Sequence, residues 1–432
     1  MSNETKKKRI TADSEAERYL NLQLSLSKQS KVSNLLCIIL AMGFIFGFAV
    51  AMWIVPDKAF SAEENRSLTT FPEFTKETFF SGEFTSDFAD YMADQFPLRN
   101  LFVGIKAVGE TVQLKQQNND TFICEDDYLI ARNDYPDEKV LDMNISSAAM
   151  FANKAEEKGI NCVAAFAGRK QDVYDSMLPK VYGSYYSDRI WDILDDKAKE
   201  GGLEYLNLRD FLREKSETED GLYYKSDHHW TTYGAYLAYC EIARELGVTP
   251  YSLEDFEIET VTDEFYGTTW SAAGVKWADG DKINYYRFDG DDNYTMKILE
   301  KTGVFEGYEG CTYVEEDGEK YAQFNSFYVM EYLSEKDKYA SFIGGNNGYT
   351  EITLNDGVER EKLLVVKDSF SHSMVPFLVR HYDLVLVDLR YYQKPMLSYC
   401  EENGIDNVLM LYNMETLTEG EYLKFLRLGL NK

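Results

Sequence analysis

The stretch "KLLVVKDSFSHSMVPFLVRHYDLVLVDL", residues 362–389, decides the fold class. It begins with a short apolar run at 362–366, continues through a segment with helical spacing, and ends with a second apolar run at 384–389. Short Val- and Leu-rich runs that alternate with helices are typical of a parallel sheet covered on both faces. The stretch therefore predicts a strand, a helix and a second strand of an α/β fold.

The same alternation continues on both sides of this stretch. Apolar runs of strand length and segments with helical spacing recur along the chain. The strand candidates are 160–168, 203–208 and 407–413, and the helix candidates are 186–200 and 231–247. Together they predict a mostly parallel sheet with helices on both faces.

Residues 251–355 have a different composition. They are rich in Tyr, Thr, Gly and Asp, and period-two stretches such as "KINYYRF" are broken by turn sequences such as "DGDD" and "EDGEK". Period-two patterns between turns are typical of β-hairpins. We predict a β-rich insertion that either shapes a substrate groove or forms a surface subdomain.

The N-terminal region predicts a membrane anchor. Residues 34–56 carry no charged side chain, and about 20 apolar residues are enough to span a bilayer as a helix. Residues 1–33 are net basic, and positive flanks stay on the cytoplasmic side. The expected arrangement is a single-pass protein of the cell membrane with a cytoplasmic N-terminus and a large extracytoplasmic part.

The charge of the chain restricts its partners. The formal net charge is −29 at pH 7, whereas binding to phosphate backbones needs a basic surface. Nucleic acid is therefore not an expected partner. The sequence also has no glycine-rich loop of the kind that cradles phosphates, so we expect no nucleotide cofactor.

The motif "SDHHW", residues 226–230, contains two of the four histidines of the chain. Asp227 and His229 are two residues apart, so in an extended loop their side chains lie on the same side. This spacing lets a carboxylate orient an imidazole for general-base catalysis. Asp227, one histidine and a distant ligand could instead bind a metal, but HExxH and CxxC spacings are missing from the sequence. The motif favours an acid–base role over a metal site.

A nucleophile is expected at "KDSF", residues 367–370. Ser369 follows the strand at 362–366 and would open the next helix, whose first N–H groups and positive dipole end could face a developing oxyanion. The alternative is that Asp368 and Ser369 only cap the helix. His372 is the rival to the "SDHHW" histidine as the base for this serine.

An ordered series of motifs resembles the DHHW family of bacterial envelope proteins. The series is "ENRSL…FP…DQFPLR", "SDHHWTTYGA", "FYGT", "SFIGGNNG", "LLVVKDSF" and "VDLRYY", and it runs from about residue 60 to the C-terminus. That family is similar to the alginate O-acetyltransferases of the AlgX and AlgJ type. The resemblance implies an SGNH-hydrolase-like fold, a three-layer α/β/α sandwich, in which the Asp-x-His pair precedes the serine.

The resemblance also implies roles for matching residues. Ser369 corresponds to the nucleophile, His229 to the base and Asp227 to the residue that orients the base. His228 occupies the variable position between the pair and receives no catalytic role. Lys367 stands where the family's "GDSF"-like element has Gly, which alters the turn before the nucleophile.

Oxyanion and substrate contacts are less well defined. The Ser369 backbone N–H is one expected oxyanion donor, and an ordinary ion pair is the alternative role for the arginine of "DLRYY". The loop "AGRKQDVYDSMLP" resembles a strand-end loop that lies near the groove in the same group. The candidates are Gly345, Asn346 and Arg390 for the second oxyanion donor or a substrate oxygen, and Arg169, Lys170 and Tyr174 for weaker substrate contacts.

The implied function is O-acetylation of a cell-surface or exported polysaccharide through an acyl-serine intermediate. Acetyl-CoA is not available outside the cell, so a membrane-bound O-acyltransferase partner would supply the acetyl group. Two alternatives remain open: a carbohydrate acetylesterase with the same triad, and a non-catalytic glycan-binding or assembly protein. The aromatic richness of the chain would suit glycan stacking in the last case.

These predictions divide the chain into six segments. The expected segments are a cytoplasmic tail at 1–33, a transmembrane helix at 34–56, a leading helical segment at 57–118, the first part of the SGNH-like domain at 119–250, the β-rich insertion at 251–355, and the second part of the domain at 356–432.

Overall fold

The computed structural model describes residues 3–61, 66–133, 136–180, 182, 185–288, 293–300 and 302–430. The helices are α1 (Asn3–Ile54), α2 (Lys76–Ser81), α3 (Glu83–Asp94), α4 (Arg99–Val112), α5 (Glu138–Glu157), α6 (Lys170–Val173), α7 (Tyr185–Gly201), α8 (Leu208–Lys215), α9 (Thr232–Glu245), α10 (Thr268–Ala273), α11 (Val375–Leu378), α12 (Met396–Asn403) and α13 (Met414–Glu419). The strands are β1 (Phe60–Ser61), β2 (Arg66–Ser67), β3 (Gln117–Asn118), β4 (Thr121–Ile123), β5 (Leu129–Ala131), β6 (Asn161–Ala167), β7 (Leu206–Asn207), β8 (Glu257–Phe265), β9 (Asp281–Arg287), β10 (Tyr294–Leu299), β11 (Thr312–Glu316), β12 (Glu319–Phe324), β13 (Tyr349–Leu354), β14 (Lys362–Lys367), β15 (Asp383–Val387) and β16 (Asn407–Asn413).

The described residues fall into two compact units, one formed by 3–61 with 66–102 and the other by residues from 103 onward. In the first unit, α1 contains an apolar segment, Lys31–Ile54, with a mean hydropathy of 2.7. This segment is long and apolar enough to cross a membrane, and it overlaps the predicted span at 34–56. A signal sequence near the N-terminus can also pass this test of length and composition, so the helix is compatible with an anchor or with a signal sequence.

The second unit is built around a nine-stranded sheet in the order β11-β12-β10-β13-β15-β14-β16-β6-β7. The strands from β15 to β7 are parallel, whereas those from β11 to β15 are antiparallel. The expectation of a mostly parallel sheet is therefore correct for only one half of it. The reason is that the β-rich region is not a separate subdomain. Its strand β13 pairs with β15, the edge strand of the parallel half, and so extends the same sheet.

Alternate residues of the central strand β14 enter two different apolar clusters. Leu363 and Val365 pack in the cluster that contains Trp230 and Tyr239, at the motif and on α9. Leu364 and Val366 pack in the cluster with residues of α5 and α7. The alternation follows from the period of two in a strand, and it means that both faces of the parallel half are buried.

The parallel half brings several loops to one edge. The carboxyl ends of parallel strands meet at the same edge of a sheet, which is where open α/β sheets place their ligands. Ser369 follows β14, Asn413 ends β16, Gly168 follows β6 and Asp388 follows β15. The candidate site lies at this edge.

Candidate active site

Ser369 is the first residue of a 3₁₀ turn, Ser369–Met374, directly after β14. The preceding Asp368 fixes this turn, since its carboxylate accepts hydrogen bonds from the backbone N–H groups of Phe370 at 2.9 Å and Asn413 at 2.7 Å. Burial raises the pKa of Asp368, and these backbone bonds partly oppose the rise. The nucleophile candidate is thus held between two neighbouring strands.

The helix predicted after Ser369 is shorter and of a different type. A six-residue 3₁₀ turn is followed by the four residues of α11, which has a proline in its first turn. Pro376 has no N–H and so cannot donate to a carbonyl of the preceding turn. The expectation that Ser369 opens an α-helix is therefore wrong, because the α-helix begins only at Val375.

Asp227, His229 and Ser369 form one chain of hydrogen bonds. Nδ1 of His229 lies 2.6 Å from Oδ1 of Asp227, and Nε2 lies 2.7 Å from Oγ of Ser369. An ionised carboxylate can only accept, so Nδ1 carries the proton. Nε2 then accepts from the Ser369 hydroxyl, which is the geometry that a general base requires.

The Asp227 carboxylate is fixed by further contacts. Oδ1 also accepts from the backbone N–H of His229 at 3.0 Å, and Oδ2 accepts from the backbone N–H and the hydroxyl of Thr268 at 2.9 and 3.1 Å. Burial alone would raise the pKa of Asp227, but the two neighbouring imidazoles and these bonds hold it well below its usual value. Asp227 is therefore ionised at neutral pH.

His229 is neutral under the same conditions. Burial and the neighbouring His228 lower its pKa to about 4, although Asp227 opposes the shift. A neutral imidazole with its free lone pair on Nε2 is the form that can take a proton from Ser369. The environment thus selects both the protonation state and the tautomer of the base.

The ring of His229 is enclosed on both faces. The ring of Tyr339 stacks at a centroid distance of 4.0 Å and an angle of 17°, and the ring of His228 lies at 3.9 Å and 36°. Two rings this close cannot share one face, so they cover opposite faces. The Tyr339 hydroxyl also donates a hydrogen bond to the Ser369 carbonyl oxygen at 3.0 Å.

Tyr339 and Thr268 were missed by the sequence reasoning as individual residues. Tyr339 is one of 32 tyrosines, and nothing in its local pattern distinguishes it. Thr268, in contrast, is the last residue of "FYGT", which belongs to the ordered motif series. That motif was the available signal for a residue that holds Asp227.

His372, the rival base, belongs to a different network. Its Nε2 lies 2.8 Å from Nζ of Lys367, and both side chains are buried. Lys367 also lies 3.8 Å from a carboxylate oxygen of Asp388. Burial lowers the pKa of Lys367 to about 8. The described contacts therefore connect Ser369 to His229, and they connect His372 to the lysine that replaces the family's glycine.

Arg390 and the "GGN" loop lie beside this network. The guanidinium makes a two-pronged ion pair with Asp388, with Nε at 2.9 Å and Nη2 at 2.7 Å, and Nη2 lies 3.4 Å from Oδ1 of Asn346. Gly345 precedes Asn346 with a φ of +81°, where a side chain would be strained. The charge of Arg390 contributes to the low pKa of His229, and its oxyanion role stays a prediction.

The three candidates of the 167–179 loop make internal contacts. Lys170 donates from Nζ to the carbonyls of Leu129 at 2.7 Å and Lys225 at 3.1 Å. Arg169 pairs with Asp172, and the Tyr174 hydroxyl accepts from the backbone N–H of Leu222 at 3.1 Å. Arg169 and Lys170 line a shallow pocket together with His228, whereas Tyr174 does not line it. Their contact with a substrate stays a prediction.

The cluster Asp227, His228 and His229 has the residue types of a metal site, and one ligand atom of each lies within 4.8 Å of the others. Oδ1 of Asp227 and both ring nitrogens of His229 are already engaged in the chain of hydrogen bonds to Ser369. A metal at these atoms would break that chain. The arrangement suits proton transfer better than metal binding.

Comparisons with known proteins agree with the motif series. Residues 203–388 match the family model described as DHHW protein, a region that contains all three residues of the hydrogen-bonded chain. No curated protein matches the chain.

Solved structures share the fold. A DHHW family protein from Eubacterium siraeum is 19% identical with a TM-score of 0.52, over 72% of this chain and 95% of that one. PatB1 of Bacillus cereus, in a structure with a sulfonyl adduct, is 21% identical with a TM-score of 0.56, over 71% and 99%. The O-acetyltransferase domain of AlgJ from Pseudomonas putida also matches, at 12% identity over 69% and 92%, but its TM-score of 0.39 is too low to carry an argument. The resemblance to the DHHW family that the motifs indicate is therefore confirmed over residues 203–388, on a mixed α/β fold that PatB1 shares.

Proposed function

We propose that the protein is a membrane-anchored, extracytoplasmic O-acetyltransferase that acts on a cell-surface or exported polysaccharide through an acyl-Ser369 intermediate. The observation that carries the proposal is the unbroken chain of hydrogen bonds from Asp227 through His229 to Ser369, at 2.6 and 2.7 Å. A serine with this support is a nucleophile for acyl groups. We take the wider architecture to be SGNH-like, as the order of the Asp-x-His pair and the serine indicates.

The first half-reaction loads the serine. Oγ of Ser369 attacks the acetyl carbonyl of the donor while Nε2 of His229 takes the hydroxyl proton. When the bond between the acetyl carbon and the donor oxygen breaks, His229 returns that proton to the leaving oxygen. Asp227 stabilises the imidazolium that exists between these steps.

The second half-reaction transfers the acetyl group from Ser369 to the acceptor. A sugar hydroxyl gives its proton to His229 and attacks the acetyl carbonyl, and the bond to Ser369 breaks as Oγ regains the proton. Both half-reactions pass through an oxyanion. We propose the Ser369 N–H as one donor to it, with Arg390, Asn346 or the Gly345 backbone as candidates for the second.

The choice of acetyl and polysaccharide rests on the motif series. The apolar helix Lys31–Ile54 and the basic residues before it support an anchor with the site outside the cell. A membrane-bound O-acyltransferase is the proposed source of the acetyl group there. PatB1, which shares the fold, accepts a sulfonyl adduct, and this supports testing Ser369 with electrophiles.

The test uses the full chain in detergent and a chromogenic acetyl ester. Wild type should release the chromophore and gain the mass of one acetyl group on the peptide that contains Ser369, and Ser369→Ala should do neither. If wild type shows no turnover and no acylation, the enzyme proposal is wrong. Adding oligosaccharides and following the acetyl group then separates the transferase from an acetylesterase, in which only water accepts it.

A further inference from the structure

His228, the residue between Asp227 and His229, borders a pocket beside the triad. Its side chain is 34% exposed, in contrast to the buried His229. The pocket is also lined by Asn133, Gln171 and Glu415. The pocket is a shallow depression that is partly open to solvent, so a molecule bound at Ser369 can reach the exposed edge of His228.

The tautomer of His228 is set by Thr268. The Thr268 hydroxyl donates its one proton to Oδ2 of Asp227, so its oxygen is left to accept from Nδ1 of His228 at 2.8 Å. In neutral His228 the proton is therefore on Nδ1 and the lone pair is on Nε2. Among the described residues, Nε2 of His228 has no hydrogen-bond partner.

The two imidazoles are arranged in parallel. His229 directs Nδ1 at the Asp227 carboxylate, and His228 directs Nδ1 at the same carboxylate through Thr268. Their ring centroids are 3.9 Å apart. Because Nε2 lies across the ring from Nδ1, the Nε2 atom of each ring is on the side away from the Asp227 carboxylate. A second hydrogen-bond acceptor thus lies on the ring that stacks against the base of the triad.

We propose that Nε2 of His228 accepts a hydrogen bond from a hydroxyl of the acyl acceptor, a sugar that approaches Ser369 over this pocket. The inference rests on the proposed function, because it names a contact of the same site in its second half-reaction. In this reading of the "SDHHW" motif, His229 is the base for Ser369 and His228 binds the acceptor.

The pocket has the chemistry of a polyol site. The Glu415 carboxylate accepts hydrogen bonds, and the amide of Asn133 both donates and accepts. Hydroxyl groups, which also do both, can satisfy such a set. A donor ester has no hydroxyl at its reacting end, so His228 contributes to acceptor binding and not to the loading of Ser369.

The test separates the two half-reactions in the full-length protein. Loading is measured with phenylmethylsulfonyl fluoride, where the Ser369 Oγ–S bond forms and fluoride leaves. Transfer is measured as the ratio of acetylated sugar to free acetate, with an acetyl ester as donor and D-glucose or cellobiose as acceptor probes. His228→Phe keeps a ring against His229 but removes the nitrogens.

We expect Ser369 of His228→Phe to react with phenylmethylsulfonyl fluoride at a rate within about threefold of wild type. The ratio of transfer to hydrolysis should fall about tenfold, which is the effect of one lost hydrogen bond of about 1.4 kcal/mol. His228→Gln, which keeps an acceptor atom, should recover part of the ratio. His381→Gln is the matched control, since His381 precedes β15 at the opposite edge of the sheet and bonds Tyr239.

The competing outcomes are distinct. An unchanged ratio in His228→Phe overturns the acceptor contact, and an equal loss of loading and transfer assigns His228 a structural role through stacking. If wild-type Ser369 reacts with phenylmethylsulfonyl fluoride but the protein acetylates neither sugar, the proposed acceptor contact of His228 is also contradicted. Failure of wild-type Ser369 to load at all is the failure of the proposed function itself, and the inference falls with it.

Discussion

The low pKa of His229 makes a quantitative prediction about pH. Burial and His228 favour the neutral imidazole, so the pKa falls to about 4 from an ordinary value of 6.5. The base is active only when neutral, and acid therefore removes activity through this pKa. At pH 5.5 a base with a pKa of 4 is almost fully neutral, whereas one with a pKa of 6.5 is neutral in about a tenth of the molecules. The structure predicts about ten times more activity at this pH than an unperturbed histidine would allow.

The assay is kcat/KM for the chromogenic acetyl ester between pH 3.5 and 8, because this parameter reports the pKa values of the free enzyme. We expect a plateau down to pH 5 and a midpoint near 4, with circular dichroism at each pH to show that the protein stays folded. Asp227→Asn removes the charge that opposes the shift, so it should lower the midpoint further and reduce the plateau by about 10²-fold or more. A wild-type midpoint between 6 and 7 in folded protein would refute the buried, neutral base.

Two substitutions test the surroundings of the triad. In Gly267→Ala the new Cβ would lie 2.3 Å from the side chain of Asp227, so we expect at least about a tenfold loss of ester turnover. Gly109→Ala is its control because a Cβ there meets nothing within 4 Å, and equal turnover in the two variants would contradict the steric argument. Lys367→Met leaves His372 without its partner and should lower the free energy of unfolding in urea by about 1–3 kcal/mol, while turnover per folded molecule stays within about threefold. Loss of turnover with unchanged stability would instead place the Lys367–His372 pair in the catalytic machinery.

Local patterns were sufficient for the residues that lie close in sequence or at strand ends. The spacing of Asp227 and His229 predicts their contact because a strand-like loop places alternate side chains on one side. The strand before Ser369 predicts the edge of the sheet on which it lies. The pairing of His229 with Ser369 across the chain came from the motif series, and the 2.7 Å distance agrees with it.

Long-range packing was not predictable in the same way. The pairing of β13 with β15 depends on register between segments that share no local signal, so the β-rich region was expected to be an insertion and not an extension of the main sheet. The stacking of Tyr339 on His229 follows from that extension, because the region that supplies Tyr339 is fixed by the same antiparallel strands. Residue chemistry alone could not single it out.

In the proposed mechanism, the short turn after Ser369 changes where oxyanion stabilisation must come from. A six-residue 3₁₀ turn has little of the aligned dipole that a long helix provides, so the Ser369 N–H cannot rely on it. Arg390 is a positive charge that contributes to the low pKa of His229, and its own pKa is raised by the ion pair with Asp388, so it stays charged. The same carboxylate holds the guanidinium in place and lies 3.8 Å from Lys367. Asp388 therefore joins the Arg390 guanidinium to the buried Lys367–His372 pair.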